Sequence, residues 1–166
     1  MKYHRFEQLP VWNAAIELAV SIHILTGKPA FRRRFSLRDQ LERAAVSVGN
    51  NISEGFERGT TQELLTFLYI ARGSAGEVRS MLCLLERIAG FADLKSEISN
   101  LKSTAEGVSR QLRAWANSLQ NTEIKGQRYL TDKSRRAAET RREREDFLAK
   151  LKETARNPMR KNSNDA

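Results

Sequence analysis

A chain of 166 residues, 30% of them charged, has room for one cored domain and an appendage. Its formal net charge of +9 and pI near 10.1 favour polyanionic partners, nucleic acid or an anionic lipid surface, over acidic-protein chemistry; a merely soluble basic protein is the alternative. The single cysteine, Cys83, excludes a disulfide framework or a zinc cluster within one chain, and no run reaches the roughly 18 apolar residues of a membrane span.

The start, Met-Lys-Tyr-His-Arg, lacks a signal-peptide apolar core, so a cytoplasmic protein is expected. Leu9-Pro10 then opens a first helix, because proline is tolerated where its missing N–H would be unsatisfied anyway. That helix is expected to run to about Thr26, with Val11, Ala14, Ala15, Leu18, Ile22 and Leu25 facing the core. Trp12, Ile16 and Ala19 form a second apolar line, read either as a wider core contact or as a subunit interface. Gly27 and Pro29 end the helix.

Phe31-Arg32-Arg33-Arg34-Phe35 follows. Three adjacent guanidiniums repel one another and suit an anionic partner, and the flanking rings either pack inward or stack on bases. Ser36 and Asp39 approximate a capping box opening a second helix, in which Leu37, Leu41, Ala44, Ala45, Val48, Ile52, Gly55 and Phe56 share one face. Relative to Val48 at roughly 100° per residue, Asn51, Glu54 and Arg43 fall on the flank and outer side.

After the break at Arg58-Gly59-Thr60, Thr60 and Glu63 form a second capping-box signature. A third helix is expected from Thr61 to about Ala89, ended by Gly90, with Leu64, Phe67, Leu68, Ala71, Ser74, Ala75, Val78, Leu82 and Leu85 inward. Cys83 is read there as a buried small hydrophobe. Tyr69, Gly73 and Gly76 lie on the opposite side. A mid-helix glycine costs about 1 kcal/mol relative to alanine, so these imply close approach of another helix, within or between subunits, or of a ligand. Arg72 and Arg79 share a face and suit phosphates, or a carboxylate of Glu54, Glu63 or Glu77 across subunits.

A fourth helix from Asp93 carries the cleanest stripe: Leu94, Ile98, Leu101, Ala105, Val108, Leu112, Trp115 and Leu119. No segment alternates with period two, so the expected fold is all-α, an antiparallel up-down-up-down four-helix bundle over residues 1–119. Residues 120–166 read as a linker, a charged helix from Thr131 to Arg156 and a disordered end; the helix would be weakly docked or free, with only Phe147, Leu148 and Leu151 able to bury. Its ion pairs would join Arg135 to Glu139, Arg141 to Glu145 and Arg142 to Asp146. The tail carries 13 Lys+Arg against 8 Asp+Glu, the first 119 residues 16 against 12.

Enzyme chemistry finds little support. His4 and His23 have no partner set in the sequence, metal-ligand spacing is missing, and no glycine-rich phosphate loop follows a strand. Glu54 and Glu77 could pair only if their helices face, and structural salt bridges explain them better. No cofactor is expected.

Three segments carry a resemblance. Phe6-Glu-Gln-Leu-Pro-Val-Trp12, Arg43-Ala-Ala-Val-Ser-Val-Gly-Asn-Asn-Ile-Ser-Glu-Gly55 and Phe67-Leu-Tyr-Ile-Ala-Arg-Gly-Ser-Ala-Gly-Glu77 occur in order. Together they resemble a bacterial four-helix-bundle family named for reading frames inside intervening sequences of large-subunit ribosomal RNA genes. The resemblance spans Phe6 to about Leu119 and implies an antiparallel bundle assembled into a ring-like homo-oligomer, a pentamer. Relatives of this fold serve as accessory proteins of diversity-generating retroelements, where a basic ring binds the reverse transcriptase and nucleic acid. It further implies that Trp12, Arg43, Asn51, Glu54, Gly55, Tyr69, Gly73, Gly76 and Glu77 belong to family motifs or an oligomer interface. The basic tail departs from the usual family length. The functional expectation is a non-enzymatic oligomer that binds RNA or DNA backbone through Arg32, Arg33 and Arg34, helped by Arg38, Arg72 and Arg79. The alternative is a protein–protein scaffold without nucleic-acid binding.

Overall fold

The structure, a computed structural model, describes residues 3–121 and 132–156. They are helical, with no strand among the described residues, and fall into two compact units, Met1–Arg128 and Tyr129–Ala166.

In the first unit four long helices share one core: α1 (Pro10–Thr26), α2 (Phe35–Glu57), α3 (Thr61–Leu85) and α4 (Lys95–Gln120). The period-3.6 stripes bury through Ala15, Leu18 and Ile22 of α1, Leu41, Val48 and Ile52 of α2, Leu64, Leu68 and Leu82 of α3, and Ile98, Val108 and Leu112 of α4, while Ala14, Leu37, Phe67 and Ser74, expected inward, are half-buried, as is Leu94, which precedes α4. Helix α2 packs on α3, α3 on α4, and α1 against both α2 and α4.

Cross-helix contacts fix which ends meet. Thr26 and His23 near the end of α1 reach Glu42 early in α2, and Trp12 and Ile16 lie over Gly49. Gly55 late in α2 touches Leu64 and Phe67 early in α3. Lys102 of α4 holds Glu86, just past α3, at 2.6 Å, while Gln120 at the far end of α4 donates to the Tyr69 hydroxyl at 2.8 Å. Lys28, after α1, pairs with Glu97 in the first turn of α4.

Several boundaries differ from expectation. Helix α2 starts at Phe35, not Ser36, and Arg34 occupies its N-cap without a side-chain cap, so the Ser36–Asp39 box does not form. At α3 the Thr60 hydroxyl accepts from the Glu63 N–H at 3.2 Å but donates to the Glu63 carboxylate at 2.8 Å, a half-box rather than a reciprocal one. Helix α3 stops at Leu85, four residues short of Ala89, because Ala89–Leu94 tightens into a 3-10 segment that turns Phe91 into the core. In α4 the buried position is Ala116, with Trp115 and Leu119 only half-buried. A strict heptad drifts about 20° per repeat on a straight helix, enough to move the last turns off the stripe. Cys83 is half-buried, not buried.

The second unit contains α5 (Asp132–Arg156). Its described side chains are exposed, Phe147, Leu148 and Leu151 among them, and Arg141 pairs with Glu145 at 3.1 Å. The side chains of Arg135, Glu139 and Arg142 lie outside the described residues, as do the expected linker between Thr122 and Tyr129 and the end beyond Arg156.

Candidate nucleic-acid interface

The arginine-rich connection between α1 and α2 is sorted by its geometry. Phe31 closes a 3-10 turn (Pro29–Phe31) and is buried against Phe91, ring centroids 4.8 Å apart. Arg34 follows it inward. Its guanidinium lies 4.4 Å from the centre of the Phe91 ring, donates to the Ala30 carbonyl at 3.3 Å and lies against Gly90, where a Cβ would come within 2.4 Å of it. Gly90 is therefore a close-approach glycine, making room for a flat cation over an aromatic face. Arg32 and Arg33 are left exposed with no side-chain partner among the described residues, and Phe35 projects with 72% of its surface exposed.

Arg38 is occupied as well. Its Nε donates to Glu42 at 2.9 Å, and the same carboxylate accepts the Thr26 hydroxyl and lies 3.5 Å from His23 Nδ1. Burial works to raise the Glu42 pKa, but the Thr26 and Arg38 hydrogen bonds and the nearby cations outweigh it and hold the carboxyl below the ordinary glutamate range. Nothing in the sequence pointed to this cluster, because its members come from two helices and Thr26 looks like a terminal residue. It lines one side of a shallow depression of about 540 Å³ formed by Phe35, Ser36, Arg38, Asp39 and Glu42.

Helix α3 supplies the second site. Tyr69, Arg72, Gly73, Gly76 and Arg79 fall at spacings of three and four on one face and, with Ala75 and Ser109 of α4, line a groove of about 420 Å³. A Cβ at Gly73 or Gly76 would meet nothing within 4 Å. The two glycines therefore leave a bare strip of helix backbone flanked by two guanidiniums. Neither Arg72 nor Arg79 has a carboxylate partner among the described residues. Glu63 and Glu54 instead hold Arg58, at 3.9 Å and 2.6 Å, and Glu77 is exposed. No described contact or cavity joins this groove to the Arg32–Phe35 connection.

The remaining motif residues have local structural duties. The Phe6 and Trp12 rings meet edge-on at a 5.2 Å centroid distance, and the absent side chain of Gly49 makes room for Ile16 and Trp12. Gly55 sits where a Cβ would be 2.7 Å from Phe67 Cβ. Asn51 donates to the Ser47 carbonyl at 2.7 Å and contacts Ser47 Oγ, which is 3.0 Å from Ser74 Oγ of α3. Arg43 pairs with Asp39 at 3.2 Å on the exposed side of α2. Glu54 and Glu77 make no carboxylate pair, since Glu54 is taken by Arg58. Among the described residues no group of three His, Cys, Asp or Glu side chains could hold a metal ion, and no helix is long and apolar enough to cross a membrane.

Fold and site define a basic, all-helical protein that presents guanidiniums without carboxylate partners among the described residues on one helix face and on one interhelical connection. The chain belongs to the 23S rRNA-intervening sequence protein family, which it matches over residues 7–114. The match contains nearly all of the three motif segments read from the sequence. No curated protein matches the chain.

Proposed function

We propose that this protein is a non-enzymatic, cytoplasmic, oligomeric binder of the RNA or DNA backbone. The observation that carries the reading is the α3 groove, where Arg72 and Arg79 have no carboxylate partner among the described residues and stand beside an open Gly73–Gly76 strip. A sugar-phosphate chain needs positive charge and close approach to a surface without side chains, and this face offers both. Arg32 and Arg33 add charge at a second place, while Arg34 is stacked on Phe91 and Arg38 is paired with Glu42, so both contribute less to binding. The name of the family, tied to ribosomal RNA genes, points the same way.

The helix contacts support an antiparallel up-down-up-down bundle, and oligomerisation is supported by an apolar ridge on α1. Ile16, Val20 and Ile24, each four residues on, are 37%, 54% and 60% exposed. The ridge differs from the expected Trp12–Ile16–Ala19 line, since Trp12 and Ala19 tuck against the core. A closed ring, with five subunits as the family resemblance implies, would repeat each arginine pair around an axis and multiply a modest local charge. A role as accessory subunit of a retroelement reverse transcriptase fits such a ring. The scaffold alternative is favoured by the same apolar ridge.

The test is binding of a labelled mixed-sequence single-stranded RNA, followed by fluorescence anisotropy across a salt series. The parent should bind with affinity falling steeply as salt rises, and removing one phosphate-neutralising arginine should flatten the log–log slope by about 0.7. The Arg72→Ala/Arg79→Ala double variant should show both the weaker binding and the flatter slope. Binding by that variant with parental affinity and slope would return the groove to the scaffold reading.

A further inference from the structure

The five residues Phe31 to Phe35 contain two phenylalanines with opposite fates. Phe31 is 1% exposed against Phe91, the ring on which Arg34 stacks, whereas Phe35, at the first position of α2, is 72% exposed. A phenyl ring left this open gains little from the hydrophobic effect in its own fold. The backbone that carries it is firmly held. The Arg34 N–H donates to the Phe31 carbonyl at 2.9 Å, the Arg38 N–H donates to the Arg34 carbonyl at 3.0 Å, and the Arg34 side chain is stacked on Phe91. The backbone on both sides of the ring is thus tied down before any partner arrives, which lowers the ordering cost of binding.

The surroundings of the ring select the partner. Arg32 and Arg33, both exposed and without side-chain partners among the described residues, precede it by three and two positions. The carboxylates bordering the depression beside it are compensated, Asp39 by Arg43 and Glu42 by Arg38 and the Thr26 hydroxyl. An exposed aromatic ring on an anchored backbone, two and three residues from two exposed guanidiniums, matches a chain that carries both flat bases and phosphates. A duplex has its base faces already stacked on one another and offers the ring nothing; an unpaired base offers a whole face.

We infer that Phe35 is a stacking platform for an unpaired base, with Arg32 and Arg33 holding the flanking phosphates, so that the preferred ligand is single-stranded nucleic acid. The inference rests on the nucleic-acid reading above and narrows its substrate class. Loss of one stacked base by truncation to alanine weakens single-strand binding by about 5- to 150-fold. Since the ring carries no charge, its loss leaves the salt slope unchanged.

The experiment uses the full-length protein, a labelled mixed-sequence single-stranded RNA and the corresponding duplex. Phe35→Ala should weaken single-strand binding by that factor at an unaltered salt slope and leave duplex binding as in the parent. Phe35→Trp should restore affinity, and its added indole fluorescence should be quenched by the single strand and not by the duplex. The inference is overturned if Phe35→Ala binds the single strand like the parent, if the parent prefers the duplex, or if Phe35→Ala changes the particle mass in light scattering, which would assign the ring to contacts between copies. Failure of the broader reading looks different: the parent itself would bind neither probe, or bind without salt dependence.

Discussion

Replacing Gly55 with alanine would set a new methyl carbon 2.7 Å from Phe67 Cβ, 3.2 Å from Leu64 Cδ1 and 3.4 Å from the Leu64 carbonyl oxygen. Phe67 Cβ is attached directly to the α3 backbone, so the clash is relieved only by moving one helix away from the other. Overpacking of this kind costs about 1–3 kcal/mol. Alanine simultaneously gains about 1 kcal/mol of helix propensity over glycine. Gly73 provides the reference, because alanine there gains the same propensity and meets nothing within 4 Å. The propensity contribution cancels between the two variants, and Gly55→Ala should be less stable than Gly73→Ala by about 1–3 kcal/mol. For a unit of this size that gap corresponds to roughly 3–15 °C in Tm. Gly49→Ala should fall between them, since its nearest neighbour, Ile16 Cδ1 at 3.0 Å, is the end of a flexible side chain. Thermal and urea unfolding followed by far-ultraviolet circular dichroism measure the order. A Gly55→Ala variant melting at or above Gly73→Ala would refute the close-crossing argument, and a Gly73→Ala variant melting below the parent would mean that the open strip is covered in solution.

Arg34→Ala should lose about 1 kcal/mol of stability through its stacking on Phe91, while Arg32→Ala and Arg33→Ala should stay within about 0.5 kcal/mol of the parent, a contrast that urea titrations would resolve. Glu42 has a lowered pKa in the folded protein, so its contribution is fully present above the unfolded value of about 4.3 and is lost as pH falls through the folded one. Unfolding free energies measured between neutral and acid pH should accordingly drop less steeply in Glu42→Gln than in the parent, from a lower starting level; parallel curves would show that the cluster has no such linkage. Val20→Glu with Ile24→Glu should reduce the particle mass seen in light scattering at micromolar concentration without loss of helicity, and an unchanged mass would remove the α1 ridge from the interface.

The helices were legible in the sequence wherever an apolar stripe persisted over several turns and a cap or proline marked the start. Pro10 and Thr60 marked their boundaries to the residue, and the angular placement of Asn51, Glu54 and Arg43 away from the core agrees with the structure. The end of α3 was not legible, because Arg87, Ile88 and Ala89 suit a helix locally and the turn is imposed by Phe91 seeking Phe31 in a distant connection. The same separation hid the fate of Arg34. In sequence it is one of three equivalent arginines, and only the aromatic ring delivered by the Ala89–Leu94 segment makes it a packing residue. Gly55 and Gly73 likewise read alike as glycines in helices, although one is pressed by a neighbouring backbone and the other faces open space.

The hydroxyl bridge between Ser47 and Ser74 bears on how α2 and α3 find their alignment. The inward face of α3 is a run of Leu64, Leu68, Ala71, Ala75, Val78 and Leu82, repetitive enough that a slide of one turn, about 5.4 Å, would replace much of its apolar contact. The two half-buried serines have no such freedom. At 3.0 Å they bond to each other, with Asn51 and the Ile70 carbonyl completing the chain, whereas a misaligned pair would lose that bond between the helices, about 0.5–1.5 kcal/mol. Gly55 reinforces the choice, because its notch receives Phe67 in this alignment and no other glycine of α2 is within a turn of it. Leucine and alanine thus supply cohesion without position, and a few small polar and glycine positions act as the key that rejects slipped, equally greasy pairings during folding.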